Sequence, residues 1–139
     1  MGRVLAIDFG DRRFGLAMSD PTRTIARPLE VVEGEKRTLE RVGALIASEG
    51  VEEIVVGLPR NMDGSLGPKA ESVLAFVERL RGGVPERIAI ETWDERLTTV
   101  QAERNLAEQG VSRHRRRERV DALAAQILLE TWLARSRSR

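Results

Sequence analysis

Three strand-like runs head the chain before any helical pattern appears, and strands and helices alternate after them. Residues 3–9 (RVLAIDF) are dominated by apolar side chains, "GDRR" at 10–13 has the composition of a tight turn, and 14–19 (FGLAMS) reads as the hairpin partner. Residues 23–33 (RTIARPLEVVE) predict a third strand, and Pro28 within it favours an edge, where a missing N–H breaks no ladder. A head of three adjacent strands followed by alternation cannot close into an all-parallel sheet. It demands a mixed one.

The remaining segments fill in that plan. Residues 35–49 place Leu39, Val42, Leu45 and Ile46 at helical spacing, and Gly50 is a C-terminal stop. Residues 52–59 (EEIVVGLP) form a short β-branched run of the buried parallel kind, and 60–67 (RNMDGSLG) a polar loop rich in turn residues. Pro68 suits the first position of a helix to Arg81, with Val73, Leu74, Val77 and Leu80 as its apolar stripe. Residues 87–93 (RIAIETW) predict a fifth strand. Thr98 and Gln101 make a capping-box pattern that opens a helix to Gln109, ended by Gly110. Residues 111–117 read as a basic loop, 118–134 as a last helix apolar on nearly every side and therefore buried, and 135–139 (RSRSR) as a disordered tail. The order is β-β-β-α-β-α-β-α-α. It predicts one α/β domain over 1–139, with a mixed five-stranded sheet and helices on both faces.

Asp8 is out of place in this plan. It sits inside the apolar run of the first strand, where an ionised carboxylate is costly unless paired, hydrogen-bonded or bound to a metal. Two other acids stand in comparable positions. Glu95 follows the fifth strand, and Asp121 lies near the start of the last helix, ahead of the small residues Ala124 and Ala125. Sites in sheets of this type form beyond the carboxyl ends of parallel strands. Three converging carboxylates repel one another, and a divalent cation is the simplest compensation. All-oxygen ligation suits Mg²⁺ or Mn²⁺. Two such ions about 4 Å apart activate a water and stabilise the attacking and leaving oxygens of a phosphodiester. Each acid also has a plain alternative: Asp8 as a cap for the turn, Glu95 and Asp121 as acids near helix N-termini. Asp94 ranks behind Glu95, since an Asx turn or a pair with Arg96 would also explain it. His114, the only histidine, is either a proton donor to a leaving group or a surface residue.

Charge points to the partner. Residues 1–112 carry a net −4 and residues 113–139 a net +5, within an overall charge of +1. A basic end on a near-neutral body favours an anionic partner, nucleic acid first. Arg113, Arg115, Arg116, Arg117 and Arg119 lie just before Asp121, at the rim of the expected metal site, and are candidates for substrate phosphates. Arg60, Asn61 and Lys69 of the long 57–71 connection are further phosphate candidates, although turn chemistry alone would explain that loop's Gly, Asp and Pro residues. Aromatic residues are few (Phe9, Phe14, Phe76, Trp93, Trp132 and no Tyr), so contacts through phosphates and shape fit better than base stacking on aromatic platforms. The absence of cysteine excludes a disulfide framework, a cysteine zinc site and a thiol nucleophile. No apolar run approaches membrane-spanning length and no signal-peptide pattern opens the chain, so the expected location is cytoplasmic, with no membrane partner.

The stretches "AIDFGDRRFGLAMSD", "IVVGLPRNMDGSLGPKAESVLAFVERL", "WDERLTTVQAERNL" and "RVDALAAQILLETWL" together resemble the YqgF family, also described as RuvX-like. They occur in that family's order and cover nearly the whole chain. The resemblance implies an RNase H-like fold and places Asp8, Glu95 and Asp121 on the family's acidic positions. It implies a Mg²⁺- or Mn²⁺-dependent nuclease that leaves 5′-phosphate and 3′-hydroxyl ends. Its substrate would be precursor 16S rRNA or a Holliday junction, acted on by a monomer or a homodimer. "RHRRRER" is more arginine-rich than the family pattern, which bears on substrate preference rather than on chemistry. Two other readings stand beside this one. "DFGDRRFGLA" also resembles the first phosphate loop of actin-like ATPases and sugar kinases, but 139 residues leave no room for their second lobe. A non-catalytic nucleic-acid-binding assembly factor would keep the fold but leave the acids unexplained.

Overall fold

A computed structural model describes residues 2–94 and 113–137, with side chains described up to Asp94 and over residues 122–135. Five strands form one sheet: β1 (Arg3–Phe9), β2 (Arg13–Ser19), β3 (Ala26–Glu33), β4 (Val51–Leu58) and β5 (Ala89–Asp94). The spatial order is β3-β2-β1-β4-β5. β2 is antiparallel to both β1 and β3, while β1, β4 and β5 run parallel. The parallel strands therefore end together, at Phe9, Leu58 and Asp94.

Alternation along β1 divides the core in two. Leu5 and Ile7 face the layer made by α1 (Glu35–Glu49) and α2 (Pro68–Gly83), and Phe76 is fully buried there. Its ring lies 5.3 Å from that of Phe14 and 5.4 Å from that of Phe9, centroid to centroid. Val4 and Ala6 face the other way, against Ala125, Leu128, Leu129, Trp132 and Leu133 of α3 (Arg113–Arg137). Burying each of the valine and leucine side chains here contributes about 1.5–3 kcal/mol. α3 crosses this face from β3, where Gln126 Nε2 donates to the Ala26 carbonyl, to β5, where Trp132 Nε1 donates to Glu91 at 3.1 Å.

The chain turns into β2 through Gly10. A Cβ there would lie 2.2 Å from the Arg13 carbonyl oxygen, so no other residue fits this turn as it stands. At the edge, Pro28 sits in β3 opposite Ala17, and Leu29 is the extra residue of a bulge between the Leu16–Glu30 and Ala17–Pro28 pairs. Edge placement of Pro28 agrees with the sequence.

Five expectations need correction. The third strand starts at Ala26 rather than residue 23, because Asp20 holds the preceding segment as a loop. Its Oδ1 accepts from the N–H groups of Thr24 (2.7 Å) and Ile25 (2.8 Å). Its Oδ2 accepts from the Thr22 N–H (3.2 Å) and from the Thr22 hydroxyl. In α2 the buried stripe is Ala70, Val73, Phe76, Val77 and Leu80, and Leu74 is 36% exposed. Residues 113–117, expected as a loop, are helical backbone at the start of α3. Arginine is a good helix former, and the charged run simply continues the helix that follows. α3 is not buried on every side either. Glu130 and Thr131 are exposed, because this helix is an outer layer with one face on the sheet. Its backbone remains helical to Arg137, into the tail expected to be disordered. The helix expected over 98–109 lies outside the described residues.

Candidate active site

Asp8 is the penultimate residue of β1 and only 9% exposed. By strand alternation it projects from the α3 face, in line with Val4 and Ala6. Its neighbours across the sheet add no side chains. Gly15 on β2 is its direct antiparallel partner. On β4, Gly57 follows Val56, which pairs with Ile7, and so comes alongside Asp8. Gly57 is in turn paired with Trp93 on β5. Asp8 thus stands between two glycines, at the end of the sheet where the three parallel strands finish.

Asp94 does not share that face. Ile90 of β5 packs on the α1–α2 side, whereas Glu91 and Trp93 meet α3 through the Trp132 indole and through the Arg135 guanidinium, 5.0 Å from the Trp93 ring centre. Asp94 follows Ile90 in alternation, on the side away from Asp8. Glu95 lies outside the described residues. Asp121 is on the helical backbone of α3, one turn before Ala124 and Ala125, which are 1% and 0% exposed against the sheet. Its side chain, like those of His114, Arg113, Arg115, Arg116, Arg117 and Arg119, lies outside the described side chains. Among the described residues no group of three His, Cys, Asp or Glu side chains is gathered.

The 59–67 loop leaves β4 at the same sheet end, and it is tightly self-bonded. The Asn61 N–H donates to the Ser65 carbonyl at 3.0 Å, and the Gly64 N–H to the Asn61 carbonyl at 2.8 Å. Asp63 Oδ1 accepts from the Ser65 N–H (2.9 Å) and hydroxyl (2.6 Å). These two bonds, the hydroxyl first, hold the Asp63 carboxyl below its ordinary range. Arg60 Nη1 donates to the Gly64 carbonyl at 2.9 Å, and Asn61 Nδ2 to Ser65 Oγ at 3.0 Å. Two of the three phosphate candidates of this loop thus help build it, while Lys69 is exposed in the first turn of α2.

A pocket of about 410 Å³, lined in part by Arg3, Ser19, Ile25, Arg27 and Leu29, lies at the opposite end of the sheet, where β1 begins. It is remote from Asp8 and has no part in the candidate site. Sequence reasoning did not single out Gly15 and Gly57 as the neighbours of Asp8. Only the strand register reveals them.

This sheet order, with helices on both faces and an acid near the end of the first strand, is the RNase H-like architecture. Solved structures of that class are similar over nearly the whole chain. The T. thermophilus RuvC in complex with a Holliday junction substrate matches with a TM-score of 0.53 at 21% identity, covering 98% of this chain and 96% of that one. The fowlpox virus resolvase in complex with Holliday junction DNA matches with a TM-score of 0.55 at 8% identity, covering 96% and 98%. The family model described as "RuvX: Holliday junction resolvase" matches residues 2–135, and the chain belongs to that family. Among its relatives, a "Putative pre-16S rRNA nuclease" of Pelotomaculum thermopropionicum is 42% identical over 134 residues, 94% of this chain and 86% of that protein. One of the same name from Caldanaerobacter subterraneus subsp. tengcongensis is 46% identical over 136 residues, covering 94% and 95%.

Proposed function

We propose that this chain is a single-domain, metal-dependent nuclease that hydrolyses phosphodiester bonds in structured nucleic acid, with maturation of the 5′ end of pre-16S rRNA as its leading reaction. The observation that carries this reading is Asp8: a carboxylate 9% exposed, between two glycines, where three parallel strands end. A carboxylate held on a rigid strand where three parallel strands end fits a ligand position better than a turn cap. Membership of the RuvX family and relatives named for pre-16S rRNA support the substrate.

Asp8, Glu95 and Asp121 are the residues that would hold Mg²⁺ or Mn²⁺, and their donor set is the all-oxygen one those ions take. One or two ions bound there would supply charge neutralisation, an activated water and stabilisation of the attacking and leaving oxygens. The protein's share is placement. β1 fixes Asp8, and the glycines on either side of it set no side chain against the carboxylate. Arg113, Arg115, Arg116, Arg117 and Arg119 would bind flanking phosphates, and Arg60, Asn61 and Lys69 further ones. The products carry 5′-phosphate and 3′-hydroxyl ends.

A second reading, resolution of Holliday junctions, is favoured by the description of the family. Symmetric junction cleavage needs two active sites and thus a homodimer, whereas trimming of rRNA is open to a monomer. Among the described residues no helix is long and apolar enough to cross a membrane. The test offers purified protein a pre-16S leader RNA and a four-way DNA junction side by side, with Mg²⁺ or Mn²⁺. Cleavage of the RNA supports the leading reading, cleavage of the junction alone supports the second, and cleavage of neither overturns both.

A further inference from the structure

In the loop that follows β4, Asn61, Asp63, Gly64 and Ser65 are all accounted for by turn chemistry. The Asn61 carbonyl accepts from the Gly64 N–H at 2.8 Å, Gly64 has φ 87°, and Asp63 is bonded to Ser65. Met62 is not explained this way. It occupies the second position of that turn, where any polar residue would serve, and it is 91% exposed. That is the highest exposure among the described large apolar side chains, and Leu66 of the same loop is 44% exposed. The turn beneath Met62 is braced by side chains, with Arg60 bonded to the Gly64 carbonyl and Asn61 to Ser65. The braced support spares the loop backbone an ordering cost when the tip inserts into something, which leaves only the side chain's own freedom to be lost.

Its position says into what. β4 runs parallel to β1, and Val56 pairs with Ile7. The loop after Leu58 therefore leaves the sheet just beyond the row that carries Asp8. The cations Arg60 and Lys69 flank it, and the Asp63 carboxylate is turned onto Ser65. Apolar side chains beside phosphate-binding cations act as wedges between stacked bases.

We propose that Met62 is a wedge that enters the base stack at a helix discontinuity and so selects branched or end-frayed nucleic acid for cleavage at Asp8. This rests on the nuclease reading above. Insertion costs least where stacking is already interrupted, so the loop discriminates against continuous duplex.

The test places 2-aminopurine beside the branch point of a four-way junction and beside the stem end of an RNA hairpin. Fluorescence is read on binding to the Asp8→Asn protein, which is expected to hold nucleic acid without cutting it. Three further proteins carry Met62→Ser, Met62→Leu or Ile25→Ser in addition. Ile25 is a control, 53% exposed at the far end of the sheet. The wedge predicts a fluorescence rise with the Asp8→Asn parent and with its Met62→Leu and Ile25→Ser derivatives, and loss of that rise with Met62→Ser. In the cutting enzyme, Met62→Ser should lower kcat/KM about tenfold, within the range of losing one base-stacking contact. Equal fluorescence and equal kcat/KM for Met62→Ser and its parent overturn the wedge while leaving the nuclease standing. A Met62-dependent rise without cleavage by the unsubstituted protein supports the wedge and overturns the nuclease. Failure to bind either probe overturns both.

Discussion

Asp8 stands directly opposite Gly15 in the antiparallel β1–β2 pair, so the one acid of the first strand, itself buried, faces a residue with no side chain. Partners at such positions share a face, with Cβ atoms about 4.5–5.5 Å apart. Gly57 on the other side repeats the arrangement. The two glycines and the carboxylate form one row, at the sheet end where β1, β4 and β5 finish.

That row makes Gly15 a sensitive position. Gly15→Val would set a branched side chain beside the carboxylate on a strand that otherwise welcomes valine. The expected outcome is a folded protein, by circular dichroism and thermal melting, with cleavage reduced about tenfold or more. Unchanged kcat/KM in Gly15→Val would show that a side chain next to Asp8 does not disturb its work.

The α1–α2 face supplies the anchor for the same strand end. Phe76 is fully buried against Phe9, the residue after Asp8, and against Phe14. Phe76→Ala should cost about 3–5 kcal/mol of stability, read from urea denaturation. A cost below about 1 kcal/mol would mean that this core collapses around the gap.

Much of the fold is legible in the sequence because its signals are local. The apolar runs of β1 and β4, the turn at Gly10 and the spacing of Val42, Leu45 and Ile46 each carry their own period. Errors arise where a neighbour decides. Leu74 and Phe76 are both compatible with a helical stripe, and only the position of Phe9 and Phe14 selects Phe76 for burial. Residues 23–25 are strand-like in composition, yet the Asp20 carboxylate accepts from the Thr24 and Ile25 N–H groups and its backbone carbonyl from the Arg23 N–H, which holds them as a loop. Residues 113–117 look like a loop because they are charged, and helix propensity overrides that impression. At the site, Asp8 announces itself by its apolar surroundings. Its separation from Asp94 is a matter of strand parity, and its glycine neighbours are a matter of register. Both require the pairing of distant strands.

The loop held by Asp20 titrates. Bonds from the Ile25 N–H first, then from the Thr22 hydroxyl and the Thr24 and Thr22 N–H groups, keep its carboxyl well below the ordinary 3.8. A depressed carboxyl contributes stability that is fully present above its unfolded pKa and is lost as pH falls through the folded one. Stability should therefore decline below pH 3.8, and Asp20→Asn should flatten that part of the profile while lowering stability at neutral pH. Denaturation midpoints at neutral and acidic pH check this. An Asp20→Asn profile parallel to that of the unsubstituted protein would contradict it.

The most direct test of the proposed metal-dependent site compares the unsubstituted protein with Asp8→Asn, measuring Mn²⁺ binding by titration calorimetry and cleavage of pre-16S leader RNA in the same buffer. Asp8→Asn should bind Mn²⁺ weakly, hold the RNA as well or better, and cleave about 10²–10³-fold more slowly, the loss typical of removing one electrostatic contribution to a transition state. Equal Mn²⁺ affinity and equal cleavage by pure Asp8→Asn protein would contradict the assignment of Asp8 to the active site.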